Sequence, residues 1–294
     1  MEFKDLNLTE LDKNLTEEER EEWQAIYASY SGRSIISGDV AGVDLHEFEI
    51  IPEGKKKAVL TRVRCLIVIK YRVKIIIPET EVFADKQDSG YHILHSMCGA
   101  NVDYVITHID REEGFAIASR KLALEKIRRA NARRRYTPGR IVDVKVISVG
   151  RGVCTVTYNG FDVVLPQRDI SYGAVPDLRE TLHPGEIKKA MIKEYNKDER
   201  ILKLSIKETT PHPFDGIETR HPIGCTRIAK IVGKYKGGIF CRLYDGVTDV
   251  LCSYYPTQYD GDFKVGDSVE IVVNKYNTEK KLVYGRILRK MAHR

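Results

Sequence analysis

The 294-residue sequence lacks the long hydrophobic runs of a membrane protein. No apolar run approaches the ~20 residues that a helix needs to cross the hydrocarbon core of a bilayer. The acidic start, Met1 to Leu6, does not have the basic and then apolar character of a signal peptide. We therefore expect a cytoplasmic protein that has no membrane partner.

Cysteine is also scarce, and its spacing excludes the common metal and disulfide frameworks. The six cysteines stand singly, with no Cys-x-x-Cys pair and no histidine at zinc-finger spacing. This spacing predicts buried free thiols. Catalytic motifs are missing as well, because the eight histidines are scattered and there is neither a Gly-x-Ser-x-Gly nor a phosphate loop ending in Gly-Lys-Ser/Thr. The sequence predicts no catalytic residues, no cofactor and no metal.

What the sequence does contain is an internal repeat. Three related segments begin at Gly99, Gly185 and Gly266, which are 86 and 81 residues apart. In each, two alternating apolar runs flank a polar turn, as in a β-hairpin. The spacing predicts one small domain per copy, since a solenoid unit has only about 20 to 50 residues.

Further strands precede each hairpin. Residues 152–166 align without gaps over residues 238–252, and opening strands follow Pro138 and Ile223. Five short strands in about 70 to 75 residues are typical of a small Greek-key barrel of the OB type.

The order of these motifs resembles the S-one domain, the RNA-binding OB module named after the largest protein of the bacterial small ribosomal subunit. The resemblance covers residues 38 to 291, and its most specific stretch is Arg200-Ile-Leu-Lys-Leu-Ser-Ile-Lys207. The chain most resembles short bacterial and phage homologues of that ribosomal protein. The fold class that this implies is all-β: three tandem five-stranded OB barrels with a short N-terminal helix and a basic helical linker. The predicted parts are an acidic arm (1–37), a divergent barrel ending in a basic helix (38–135), a second barrel (136–210) and a third barrel (219–291).

The acidic arm contrasts with a basic remainder. Residues 1 to 30 hold nine acidic and three basic side chains, so a chain of net charge +6 has about +12 in the rest. Thr16 and Glu19 have the spacing of a capping box. Trp23, Ile26, Tyr27 and Tyr30 then form one apolar stripe on a helix of about 14 residues. The stripe either packs on the first barrel or docks on a protein partner such as the ribosome, and the acidic arm is alternatively a competitor of RNA for the basic body.

The densest basic stretch, residues 120–135, has eight basic side chains and one acidic one. Its residue types favour a helix, and Thr-Pro-Gly139 ends it. A net charge of +7 in 16 residues favours contact with RNA phosphates, although a solvated helix face or a counter-charge for the acidic arm would show the same composition. The candidate phosphate-binding residues are Arg128, Arg129, Arg133, Arg134 and Arg135.

Strand alternation indicates a base-stacking face in the third copy. Ile239, Cys241 and Leu243 would fill the barrel, while Phe240, Arg242 and Tyr244 would face outward. Aromatic and guanidinium planes accept any base, and the family's base-stacking aromatic falls at Phe240. Tyr235 and Tyr254 or Tyr255 are candidate additions. An inter-domain contact of Phe240 is the alternative.

The other two copies depart from the family at these positions. The ungapped alignment places Cys154 and Val156 of copy two over Phe240 and Arg242, which leaves Tyr158, Arg151 and Phe161 as candidates nearby. Copy one offers Leu66, Val68 and Lys70. Neither has a full aromatic platform, so we expect these barrels to bind the RNA backbone, bind protein or act as spacers.

These observations favour a protein that binds single-stranded RNA, mRNA in particular, in connection with translation or RNA metabolism. The alternatives are a protein-interaction adaptor that docks on the ribosome, RNA polymerase or another assembly, and a structural scaffold.

Overall fold

The computed structural model describes residues 16–50, 59–70, 73–84, 91–111, 113–173, 175–235 and 238–291. The chain is all-β, and each sequence copy forms one five-stranded sheet. The strands of the first copy are β1 (Ile36–Ile50), β2 (Val59–Lys70), β3 (Val73–Pro78), β4 (Asn101–Asp110) and β5 (Phe115–Ser119). Those of the second are β6 (Ile141–Val149), β7 (Val153–Tyr158), β8 (Phe161–Pro166), β9 (Ile187–Asn196) and β10 (Ile201–Ser205). Those of the third are β11 (Thr226–Tyr235), β12 (Gly238–Leu243), β13 (Asp249–Ser253), β14 (Ser268–Asn277) and β15 (Leu282–Lys290).

One helix precedes the first strand, and shorter helices lie between later strands. They are α1 (Glu17–Gly32), α2 (Tyr91–His95), α3 (Arg120–Ala130), α4 (Gln167–Ile170) and α5 (Ile217–Arg220). No helix in the described part of the chain has both the length and the apolar character that a bilayer span requires.

The three sheets share one strand order. The first and third copies are closed barrels, ordered β1-β2-β3-β5-β4 and β11-β12-β13-β15-β14, with a parallel pair closing each. The second copy has the same neighbours in the order β10-β9-β6-β7-β8, but within the described residues no ladder joins β8 to β10. Two copies thus form the predicted barrel, and the middle one, as far as the structure describes it, forms the same sheet without the closing strand pair.

The glycine that begins each repeat has the same structural role in all three copies. Gly99, Gly185 and Gly266 have φ values of 85°, 89° and 98°, in the left-handed region that favours glycine. Each donates its N–H, at 2.8 Å, to a carbonyl of the first strand of its copy; the acceptors are Val40, Val146 and Ile231. The next residue of that strand forms a β-bulge in every copy. The repeat seen in the sequence is therefore a repeated turn-and-bulge contact.

Two compact units divide the chain. The first comprises Met1–Pro166 and Pro176–Leu204, and it contains most of the first two sheets. The second comprises Gln167–Val175 and Ser205–Arg294, and it contains the third barrel. The loop after β8 thus belongs to the body that contains the third barrel.

Helix α1 covers the first barrel. The predicted capping box is present, since the Glu19 N–H donates to Thr16 Oγ1 at 3.3 Å and the Thr16 N–H donates to Glu19 Oε2 at 2.9 Å. Ile26 is fully buried in the core of the first barrel, and Trp23 and Tyr30 pack against that core. The apolar stripe is therefore occupied by packing, the first of its two interpretations.

Helix α3 is fixed to both neighbouring sheets of the first unit. The side chain of Ser119 accepts a hydrogen bond from the Leu122 N–H at 3.0 Å and so caps the helix. Arg120 is only 1% exposed, and it donates to both carboxylate oxygens of Asp162 on β8 at 2.6 and 2.7 Å. A third bond, of 2.8 Å, runs from Arg120 to the Val82 carbonyl of the first copy. The helix ends at Ala130 and does not extend over all of the predicted 120–135 stretch.

Candidate nucleic-acid interface

The strand β12 alternates between the core of the third barrel and its outer face. Ile239, Cys241 and Leu243 are at most 2% exposed and belong to the barrel core. Phe240 and Arg242 lie on the opposite face, where both are half-buried. The alternation expected from the sequence therefore describes this strand, although the outer face is partly covered.

Arg242 is held by an ion pair on the neighbouring strand. Its guanidinium donates to Asp249 Oδ1 at 2.8 Å and to Asp249 Oδ2 at 3.0 Å, which is a bidentate arrangement. The backbone at Gly173 packs on this pair, and a Cβ there would lie 2.5 Å from Arg242 Nη2. The carboxylate offsets the arginine charge, so Arg242 is part of an ion pair on this face and not an unpaired phosphate-binding cation.

Phe240 lines a cleft of about 520 Å³ in the second unit. Other apolar side chains in its lining include Phe214, Val232, Val247 and Leu282. Three cations with exposed side chains, Arg168, Lys280 and Lys281, line the same cleft. The arrangement combines a flat apolar surface with positive charge, which are the two properties that single-stranded nucleic-acid sites share.

The sequence did not single out the loop residues of this cleft. Tyr172 and His212 contribute rings whose centroids lie 4.5 Å apart. Both fall outside the alternating runs, and they are 40 residues apart in the chain. Strand periodicity therefore had no means of placing them beside Phe240.

The remaining candidate aromatics of the third copy lie elsewhere or are engaged. Tyr244 is 77% exposed in the turn after β12. It lines neither the Phe240 cleft nor a second cleft of about 510 Å³ in the same unit. Tyr254 packs against the barrel core, and the ring of Tyr255 lies 5.1 Å from the Arg286 guanidinium carbon. The side chain of Tyr235 is outside the described residues.

The strand registers correct the alignment of the other copies. The bulges make Val40, Val146 and Ile231 equivalent, and these pair with Val68, Val156 and Cys241 respectively. The residues paired just beyond the bulge, Ile67, Thr155 and Phe240, are therefore equivalent. The positions assigned from the sequence, Leu66, Val68, Cys154 and Val156, are instead core residues at most 1% exposed. The ungapped alignment was wrong by one residue, and a shift of one residue moves a side chain to the other face of a strand.

Neither true equivalent of Phe240 is available as a platform. Ile67 is 8% exposed and packs with Cys65 and Ile76 in an apolar cluster outside the first barrel. Thr155 is 7% exposed. The third barrel therefore differs from the other two at this position in both residue type and exposure.

The second sheet has an aromatic cluster of its own at one end of β7. Tyr158 lies 6.2 Å from Tyr136, and Tyr136 lies 5.7 Å from Phe161 and 4.6 Å from Tyr195. Tyr136 and Phe161 are buried, whereas Tyr158 and Tyr195 are half-buried. Arg151 precedes the other end of β7, roughly 20 Å away at about 3.3 Å per residue, so the structure does not bring Arg151 and Tyr158 together.

The arginines of the basic stretch fall into two sets, one packed and one exposed. Arg128 joins Arg120 in packing: it donates to the Gly160 carbonyl at 2.7 Å, and its guanidinium carbon lies 4.7 Å from the Phe161 ring centroid. Arg129 is exposed on the helix, and Arg133, Arg134 and Arg135 are exposed in the turn and extended segment that follow it. Four of the five candidates thus present their charge to solvent.

Comparisons with known proteins show which proteins this chain resembles. No family model matches the chain. The small ribosomal subunit protein bS1 of Rickettsia typhi is 24% identical over 189 residues, which cover 61% of this chain and 33% of that protein. The protein of the same name from Chlamydia trachomatis is 24% identical over 193 residues, 62% of this chain and 33% of that one. The chain is an S-one-like OB-fold protein.

Two further likenesses of this S-one-like protein are more limited. The 4-hydroxy-3-methylbut-2-enyl diphosphate reductase of Clostridium tetani is 27% identical over 133 residues, which cover 44% of this chain and 21% of that enzyme. The solved structure of a multidomain protein with nucleic acid binding domains from Streptococcus pneumoniae is 11% identical to this chain. The match covers 89% of this chain and 75% of that one, with a TM-score of 0.21. The chain spans about a third of the length of the ribosomal relatives that it matches.

Proposed function

We propose that this protein binds single-stranded RNA, with the third barrel as the principal base-binding element and the exposed linker arginines as a phosphate-binding element. The observation that carries the proposal is the Phe240 cleft, where an aromatic surface and three exposed cations occur together. Single-stranded nucleic-acid sites combine stacking on aromatic rings with a basic groove in this way.

The distribution of stacking residues supports a division of labour among the copies. Thr155 and Ile67 occupy the positions equivalent to Phe240, and neither offers an aromatic ring. The exposed arginines 129 and 133–135 follow the first copy instead. We therefore assign sequence-independent phosphate binding to the linker and base stacking to the third barrel.

The ribosomal relatives favour mRNA as the RNA and translation as the process. Their shared name places them in the small ribosomal subunit. The chain matches only about a third of their length. On that similarity we propose mRNA as the partner, translation as the process, and a role in binding and not in catalysis. The docking role of helix α1 is not part of the proposal, since its apolar stripe packs on the first barrel.

The test is the affinity of the full chain for a fluorescein-labelled 12-nucleotide oligo(A) RNA across a salt series, beside a double-stranded RNA of the same length. We expect binding to the single strand whose log Kd rises linearly with log salt, by roughly 0.7 per phosphate contact. Stacking requires unstacked bases, so the duplex should bind more weakly. Equal binding of the duplex would contradict the base-stacking part, and no binding near physiological salt would contradict the whole proposal.

A further inference from the structure

The Phe240 cleft has a neighbour of about the same size. A second cleft of about 510 Å³ adjoins it in the same unit. Both clefts are lined by one set of residues, which therefore forms the wall between them: Ser171, Tyr172, Gly173, His212, Pro213 and Val247. Tyr172 and His212 are the two aromatic members of this wall.

The wall is held in place by its own contacts. The Phe214 N–H donates to His212 Nδ1 at 3.0 Å, which leaves the proton of a neutral imidazole on Nε2. Burial lowers the pKa of His212, and the positive charges of Lys281 and Lys207 act in the same direction, whereas Asp215 opposes them. These effects together favour the neutral ring, whose centroid lies 4.5 Å from that of Tyr172.

The two clefts differ in what surrounds the wall. Phe240 and Phe214 make the first one aromatic. The second contains the Thr210 side chain and Lys207, whose Nζ lies 5.2 Å from the Tyr172 ring centroid. Arg220 also lines the second cleft, but it donates to the Pro213 and Asp215 carbonyls and pairs with Asp245. We therefore take Lys207 as the cation of this cleft that would face a ligand phosphate. A base with its phosphate suits each cleft.

We propose that Tyr172 and His212 insert between two consecutive nucleotides of the bound RNA, so that one base occupies the Phe240 cleft and its neighbour occupies the Lys207 cleft. The inference rests on the proposed function, because it places a second nucleotide beside the base at Phe240. Splayed bases stacked on aromatic side chains are the usual form of single-stranded RNA in a protein site. Tyr172 comes from the loop after β8 and His212 from the segment after β10, so the two rings lie outside the barrel strands.

The experiment compares the affinity of the full chain for the labelled 12-nucleotide oligo(A) with that of two variants of one wall residue and of one matched control. Tyr172→Ala should weaken binding roughly 5- to 150-fold, the contribution of one base stack. Tyr172→Phe should bind like the parent, because it keeps the ring. Tyr259→Ala, which removes a 74% exposed tyrosine that lines neither cleft, should also bind like the parent.

A second measurement locates the RNA independently of affinity. The ring proton signals of His212, identified by their loss in His212→Gln, should shift when oligo(A) is added to the parent, because an adenine ring current acts on them. If the parent and Tyr172→Ala bind with equal affinity and the His212 signals do not move, the insertion of the wall between two nucleotides is refuted. In that case weaker binding by Phe240→Ala would still support the proposed function. If the parent does not bind RNA, the proposed function itself fails.

Discussion

The sharpest contrast in the basic stretch is between Arg120 and Arg133, which have the same charge and opposite surroundings. In Arg120→Leu the Asp162 carboxylate, 4% exposed, loses both of its guanidinium bonds, and the Val82 carbonyl loses its donor. Removing one partner of a buried ion pair costs about 3 to 5 kcal/mol. Exposed Arg133→Leu should change the free energy of unfolding by no more than about 0.5 kcal/mol.

Thermal unfolding followed by circular dichroism measures this contrast. For a body of this size, 1 kcal/mol corresponds to a Tm change of about 2 to 4 °C, so Arg120→Leu should lower the Tm of the first unit by about 6 to 20 °C. The double variant Arg120→Leu/Asp162→Leu should recover much of that loss, since no unpaired charge stays buried. The slope of log Kd for RNA against log salt concentration should show the reverse pattern: it should fall by roughly 0.7 in Arg133→Leu and stay unchanged in Arg120→Leu. A Tm for Arg120→Leu within 2 °C of the parent would refute the structural role of this arginine.

Three other perturbations test separate parts of the structure. Replacing Arg133 to Arg135 by Ala should flatten the salt slope by up to ~2 and leave the Tm unchanged; an unchanged slope would show that the linker does not bind phosphates. Gly160→Ala should destabilise the first unit by about 2 kcal/mol or more in urea unfolding, because φ is +84° and the new Cβ would lie 2.4 Å from the Leu124 carbonyl oxygen; wild-type stability would contradict this packing. Burial raises the pKa of Asp245, but hydrogen bonds from Thr248 outweigh it and lower that pKa to about 2. Since the folded pKa lies below the ordinary 3.8, this carboxylate stabilises the fold above about pH 4 and ceases to do so as the pH falls towards 2. The Tm of Asp245→Ala should therefore approach that of the parent as the pH falls from about 4 to about 2; a difference in Tm that is undiminished at pH 2 would disprove the assignment.

Local periodicity predicted the features that depend on one strand or one helix. The inward face of β12, the capping box at Thr16 and the repeated glycines all follow from spacings of a few residues. The equivalence of Phe240 with Thr155 depends instead on loop length. Val156 pairs with Val163, seven residues on, whereas Cys241 pairs with Val250, nine residues on. Matching the glycines of the two copies hid this difference and moved the alignment by one residue.

The charge count of the basic stretch could not separate packed from exposed arginines, for a different reason. The eight basic residues of the 120–135 stretch are alike in the sequence, but Arg120 and Arg128 fold back on the β7–β8 hairpin and the others do not. The distinction is made by Asp162 and Gly160, which lie more than 30 residues further along the chain. Tyr172 and His212 show the same limit, because their contact joins two loops that carry no periodic signal.

The most direct test of base binding by the third barrel is the RNA affinity of Phe240→Ala across a salt series, with Thr155→Ala as the control at the equivalent position of the second copy. Both variants leave the charge unchanged, and both must first show parental melting. We expect Phe240→Ala to lose ~1 to 3 kcal/mol of affinity for oligo(A) RNA at an unchanged salt slope, and Thr155→Ala to bind like the parent. A folded Phe240→Ala that binds as tightly as the parent would contradict the assignment of base stacking to this barrel.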